Sequence, residues 1–124
     1  MIKFSNPRRR AEFTDWPNGS KRVNCVFDME FKPGKGWRFT RTTTGKPKTT
    51  TYGREGCVVD GEDGKTYLIQ RAGQFNFINI FRSDFMAAHF GVNGDNCVFP
   101  DNNPELYAEL DSLIEAANST GVML

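Results

Sequence analysis

The sequence predicts an α+β fold: a strongly bent antiparallel β-meander or partial barrel of about five to seven strands, with one short helix and one C-terminal amphipathic helix. Three observations carry this. Between residues 21 and 31, Val23, Cys25, Phe27, Met29 and Phe31 alternate with Arg22, Asn24, Val26, Asp28 and Glu30. That period of two belongs to a strand with one apolar face. From residue 104 onward, Leu106, Leu110, Leu113, Ile114 and Ala117 recur at helical spacing, with Glu109, Asp111 and Glu115 on another face. Around and between these segments, turn residues fall at short intervals, at 17–20, 32–36, 45–48 and 61–64.

The 124 residues are expected to form a single domain, residues 1–124. Only 38% of them are hydrophobic, but eleven are Phe, and large rings supply burial that a low aliphatic content does not. The elements follow in order. Residues 1–10 read as a basic N-terminal arm, with Asn6-Pro7 followed by Arg8, Arg9 and Arg10. Residues 11–16 form a first strand, residues 17–20 a turn, and residues 21–31 the strongest strand. Residues 37–44 and 49–54 are further strands, and seven Thr between positions 40 and 51 suit a solvent face or an edge. Gly53 to Gly56 interrupts the pattern in the manner of a bulge.

Residues 57–60 and 65–70 flank Gly61-Glu62-Asp63-Gly64 as another hairpin. Residues 75–81 are apolar at nearly every position, so that strand should be covered on both faces. Ser83 can cap a short helix over 84–90 that stops at Gly91, and a short strand follows at 97–99. In the last helix, 104–118, Asn103 is the cap, Pro104 takes the first position and Glu105 suits the N-terminal dipole. It is expected to bury Leu106, Leu110, Leu113 and Ile114 against either the Val23–Met29 face or the 75–81 strand.

Charge supplies the main functional hint. Residues 1–54 carry a net +9 and residues 55–124 a net −8, within an overall +1. The basic half places Arg8, Arg9, Arg10, Arg22, Lys32, Lys35, Arg38, Arg41, Lys46 and Lys48 among Trp16, Trp37 and Phe39. Cations displace counterions, hydroxyls reach phosphates and rings stack on bases, so Trp37 and these cations are candidates for nucleic-acid or acidic-partner binding. The competing reading is a solvated sheet, with Trp37 and Phe39 sharing a parity that points them inward. The acidic helix offers Glu105, Glu109, Asp111 and Glu115 as an alternative partner-binding face. The opposed halves would also allow a homodimer, two copies pairing head to tail.

Motifs of chemistry are weak. Cys25, Cys57 and Cys97 with His89 are zinc-ligand types, but the paired short spacings of zinc modules are missing, so no metal is expected and the thiols read as reduced core residues. Asp60, Glu62 and Asp63 lack the calcium-loop pattern and read as turn residues. Asp84 and His89 do not share a helix face. Gly45-Lys46 and Gly64-Lys65-Thr66 lack the first Gly of a phosphate loop and open no helix. The expectation is therefore a non-enzymatic binding module with no cofactor, binding nucleic acid through its basic β-rich half. The alternative is a small protein-binding adaptor or inhibitor, for example a phage-type accessory protein, acting through a charged face. No signal-like or membrane-spanning apolar run is present, so a cytoplasmic protein with no membrane partner is expected.

Overall fold

The computed structural model describes residues 3–18, 21–72, 77–82 and 97–119. Burial divides its strands into two kinds. β6 (Gly56–Gly61) and β7 (Thr66–Ala72) bury successive residues, Cys57, Val58 and Val59 on the first and Tyr67, Leu68 and Ile69 on the second. A strand covered on one side alternates, so these two must be covered on both. They are central in a five-stranded antiparallel sheet of order β1-β6-β7-β8-β9, completed by β1 (Phe4–Arg8), β8 (Phe77–Arg82) and β9 (Cys97–Val98).

One face of this sheet, with Cys57, Val59, Ile69, Ile78 and Ile80, packs against Leu106, Leu110, Ile114 and Ala117 of α1 (Pro104–Ser119). From the other face, Val58 and Leu68 join Ala11, Cys25, Phe27, Met29, Trp37 and Phe39. Those residues belong to a four-stranded antiparallel sheet, β2 (Arg10–Asn18), β3 (Lys21–Lys32), β4 (Gly36–Thr43) and β5 (Thr49–Gly53), paired in sequence order. The layers are helix, five-stranded sheet and four-stranded sheet.

The expected meander or partial barrel of about five to seven strands is thus corrected. Nine strands occur among the described residues, in two open sheets. The chain starts in the five-stranded sheet, crosses to the other at Arg9, and returns through Arg54 and Glu55. The break read at Gly53–Gly56 is this return crossing rather than a bulge.

The N-terminal arm is corrected as well, because residues 4–8 are β1. Phe4 is buried and meets Tyr67 edge-on at 5.5 Å between ring centroids. The pairing changes from Ser5 opposite Asp60 to Arg8 opposite Val58, which leaves one extra residue in β1. Asn6 takes up the extra length at φ 56°, a left-handed value that Asn tolerates better than most residues, and donates from Nδ2 to Asp60 at 3.1 Å.

The strand at 21–31, the hairpin around 61–64 and the C-terminal helix occur where the sequence places them, whereas Pro17 and Asn18, expected in a turn, lie within β2. The helix rests on the sheet that contains Phe77–Phe81, not on the Val23–Met29 face, and Leu113 is only partly buried. The Tyr107 N–H donates to the Asn103 carbonyl at 2.9 Å, in keeping with Asn103 as the cap. The short helix at 84–90 and its Ser83 cap lie outside the described residues.

The return crossing is held from two sides. Arg71 on β7 has a side chain only 15% exposed. It pairs with Glu55 of the crossing and donates to Asp111 at 2.5 Å and Glu115 at 2.8 Å on the helix. Burial by itself works against this guanidinium's charge, but the bond to Asp111, the charge of Glu55 and the bond to Glu115 outweigh it and hold its pKa above the ordinary value. One turn further along, buried Asn118 donates to the Gly56 carbonyl at 3.1 Å and the Ile114 carbonyl at 2.9 Å. Gly56 lies so close to β7 that a Cβ would overlap the Ile69 carbonyl oxygen, a backbone atom. A Cβ at Gly53 would instead meet the end of the Gln70 side chain, which can swing away.

Gly56→Ala should therefore cost about 3 kcal/mol in urea unfolding, as overpacking against fixed backbone does. Gly53→Ala should cost clearly less; equal losses would contradict the geometry. Arg71→Met should lower stability by about 2 kcal/mol, the scale of hydrogen bonds to charged groups, with the helix signal in circular dichroism lost at the lower midpoint.

Candidate binding surface

The outer face of the four-stranded sheet follows from strand parity. Cys25, Phe27 and Met29 on β3 and Trp37 and Phe39 on β4 point into the core. Asp28, Glu30, Arg38, Thr40 and Thr42 take the opposite parity. Register sets Glu30 beside Arg38 beside Tyr52, and Asp28 beside Thr40 beside Thr50.

Carboxylates quench much of the basic half locally. Arg8 pairs with Asp60 at 2.9 Å and Arg10 with Glu12 at 2.8 Å. Glu30 takes both Arg38 and Lys32, the latter at 3.4 Å. Trp37 is buried, so its ring cannot stack on a base. Arg9 sits at the first crossing, where a cleft of about 540 Å³ is lined by Arg8, Arg9 and Arg10 but also by Asp28 and Glu30. Arg41 lies on β4 opposite Thr49, and the Arg22 side chain lies outside the described residues. The acidic helix face is also partly engaged within the chain. Asp111 and Glu115 bind Arg71, Glu109 accepts a long bond of 3.4 Å from the Phe4 N–H, and Glu105 stands exposed in the first turn.

The cationic turns do not merge into one patch. The turn carrying Lys35 and the turn carrying Lys46 lie at opposite ends of β4, whose eight residues span roughly 25 Å. What the structure brings together instead is the rim around β5. All of Thr49, Thr50, Thr51 and Tyr52 are exposed, and among the described residues β5 pairs only with β4. Tyr52 is 51% exposed, with the Lys35 ammonium 5.6 Å from its ring centroid. Lys46, Lys48 and Arg54 bracket the strand, and residues 45–54 contain no carboxylate. Thr50, Thr51 and Tyr52 were not singled out by the sequence reading. The signal was present in the acid-free window and in a Tyr at outward parity within a Thr run.

Beneath β5 the two sheets do not close. A pocket of about 230 Å³ is lined by Phe27, Phe39, Leu68 and Phe81, with Thr51 and Gln70 at its polar edge. On the thiols, Cys25 and Cys57 are buried and Cys97 is half-buried. Among the described residues no group of three or more His, Cys, Asp or Glu is placed to hold a metal, and His89 lies outside them. No helix among these residues is long and apolar enough to cross a membrane.

Burial pushes the Cys57 thiol up from 9.0 to about 12, against the opposing charges of Arg8 and Arg71. The folded state thus binds the proton more tightly than the unfolded one. The stability this gives is complete below pH 9 and is lost as pH rises toward 12. Cys57→Ala should flatten the decline of the unfolding free energy between pH 9 and 10.5, measured by urea titration. An unchanged slope would show that Cys57 does not carry it.

In comparisons with protein families, curated proteins and solved structures, nothing matches this chain.

Proposed function

We propose that this protein is a non-enzymatic binding module that takes an acidic protein partner at the β4–β5 rim of its four-stranded sheet. The supporting observation is the acid-free window at residues 45–54, with Lys46 and Lys48 before β5, Arg54 after it and Lys35 alongside. At Arg8, Arg10, Lys32 and Arg38 a partner's carboxylates would have to displace Asp60, Glu12 or Glu30 from their ion pairs. Cations on a rim favour encounter with an acidic surface and fix its orientation more than they add affinity.

A second reading, a single-stranded nucleic acid, rests on Tyr52. Its exposed ring beside Lys35, with Thr40 and Thr50 on neighbouring strands, has the makings of a stacking platform. It is the weaker reading because Trp37 is buried and Arg8, Arg10 and Arg38 are paired.

Fluorescence anisotropy with a labelled oligoglutamate peptide and a labelled oligothymidylate strand, each at about 50 and 200 mM salt, separates the two. The expected result is salt-sensitive peptide binding that Lys46→Glu with Lys48→Glu weakens about tenfold, as loss of two nearby charges implies. Tighter binding of the oligonucleotide, abolished by Tyr52→Ala, would replace this reading with the second.

A further inference from the structure

We infer that the acidic partner binds as an extended peptide that adds a strand to the edge of β5, unpaired among the described residues, and seats an apolar side chain in the inter-sheet pocket. This rests on the rim reading above and specifies its mode.

The backbone supports it first. The Thr44 N–H donates to the Asn24 carbonyl at 2.9 Å, just beyond the pair Cys25–Thr43. In an antiparallel ladder, bonding alternates along a strand. Even-numbered residues of β4 therefore bond to β3 and odd-numbered ones to β5. Phe39 faces Thr51 and Arg41 faces Thr49, so Thr49 and Thr51 spend their main-chain groups on β4. Thr50 and Tyr52 turn their N–H and C=O groups outward. The Met29 N–H bonded to the Arg9 carbonyl at 2.8 Å gives the same phase on β3. An added strand would find two donors and two acceptors at the proper repeat.

Side chains support it second. Thr51 has inward parity, yet it is exposed, because the five-stranded sheet does not cover β5 there. A residue of the added strand lying beside Thr51 would share that parity. Its side chain would stand at the mouth of the 230 Å³ pocket of Phe27, Phe39, Leu68 and Phe81. An apolar pocket of this size suits one aliphatic or aromatic side chain. Main-chain bonds supply affinity in such strand addition, and pockets for alternate side chains supply specificity.

Charge chooses the occupant. Lys48 immediately precedes Thr49 and Arg54 immediately follows Gly53, about 20 Å apart along an extended chain. A second copy of this chain adding its own β5 in antiparallel register would set Lys48 against Arg54. That repulsion guards an edge against self-association. An acidic segment of about seven residues with an apolar residue at alternate positions matches both ends and the pocket.

The probe is a fluorescein-labelled octapeptide of alternating Leu and Glu, compared with octaglutamate. The alternating peptide is expected to bind at least tenfold more tightly. Methylating the amide nitrogens on one edge of the peptide should erase that advantage without any change to the protein. Thr50→Pro removes an outward N–H while leaving the ladder to β4 intact, and should also reduce the alternating peptide to the octaglutamate level. Thr51→Phe, which lays a ring over the pocket mouth, should do the same. Equal binding of both peptides, indifferent to methylation, would overturn strand addition and leave the charged rim standing. Absence of binding by either peptide would overturn both. Preference for a dimer in sedimentation, lost in Thr50→Pro, would assign the edge to a second copy and overturn the acidic occupant.

Discussion

The two-sided burial of β6 and β7 is the constraint from which the other features follow. Cys57, Val59 and Ile69 need cover on one face, Val58 and Leu68 on the other. A single helix supplies the first cover and a second sheet the second. Supplying a whole sheet from the middle of the chain forces two crossings between layers. The first is a single residue, Arg9, and follows directly on the bulge at Asn6–Pro7. The second is crowded, since β6 must start beneath the helix terminus. Gly56 makes the close approach there, Asn118 takes up its carbonyl, and Arg71 draws Glu55, Asp111 and Glu115 around one guanidinium. Without cover on the second face, Val58 and Leu68 would open to water at about 25 cal/mol per Å².

The same architecture explains why a charge division along the chain is not a charge division in space. Arg8 of the basic half meets Asp60 of the acidic half because β1 pairs with β6. Glu30 lies between Lys32 and Arg38 because β3 and β4 form a hairpin. The acidic helix is partly neutralised by Arg71, one of few cations in its half of the sequence. Around β5, residues 45–54 bring three cations together with no carboxylate among them. There the strand stands at the sheet's edge and the other sheet stops short of it.

Local pattern was legible in the sequence and partnership was not. The alternation over 21–31 and the helical spacing over 104–118 are properties of contiguous residues, and both elements formed where those patterns lie. So did the inward parity of Trp37 and Phe39, which removes Trp37 from any binding surface. β1 was illegible because Asn6-Pro7 and three arginines have the local chemistry of an arm. Its strand character comes only from β6, about fifty residues away. Arg71 carried no local signal, since its three carboxylates come from a crossing and two helical turns. The candidate rim was half legible: its cations stood out, but that Thr50 and Tyr52 turn their backbone outward depends on ladder phase, which composition does not record.

The pairing of β1 with β6 also orders the events of chain growth. β2 to β5 are joined by hairpins, so each can pair as soon as its successor leaves the ribosome. β1, made before them, has no partner until residue 61 has emerged, and α1 completes its cover later still. For that interval the nascent chain holds an unpaired N-terminal strand bearing Phe4. Asn6, Pro7 and the run Arg8–Arg10 make it a poor template for other chains. The features that disguise β1 as an arm are thus the same ones that blunt its edge while it waits for β6.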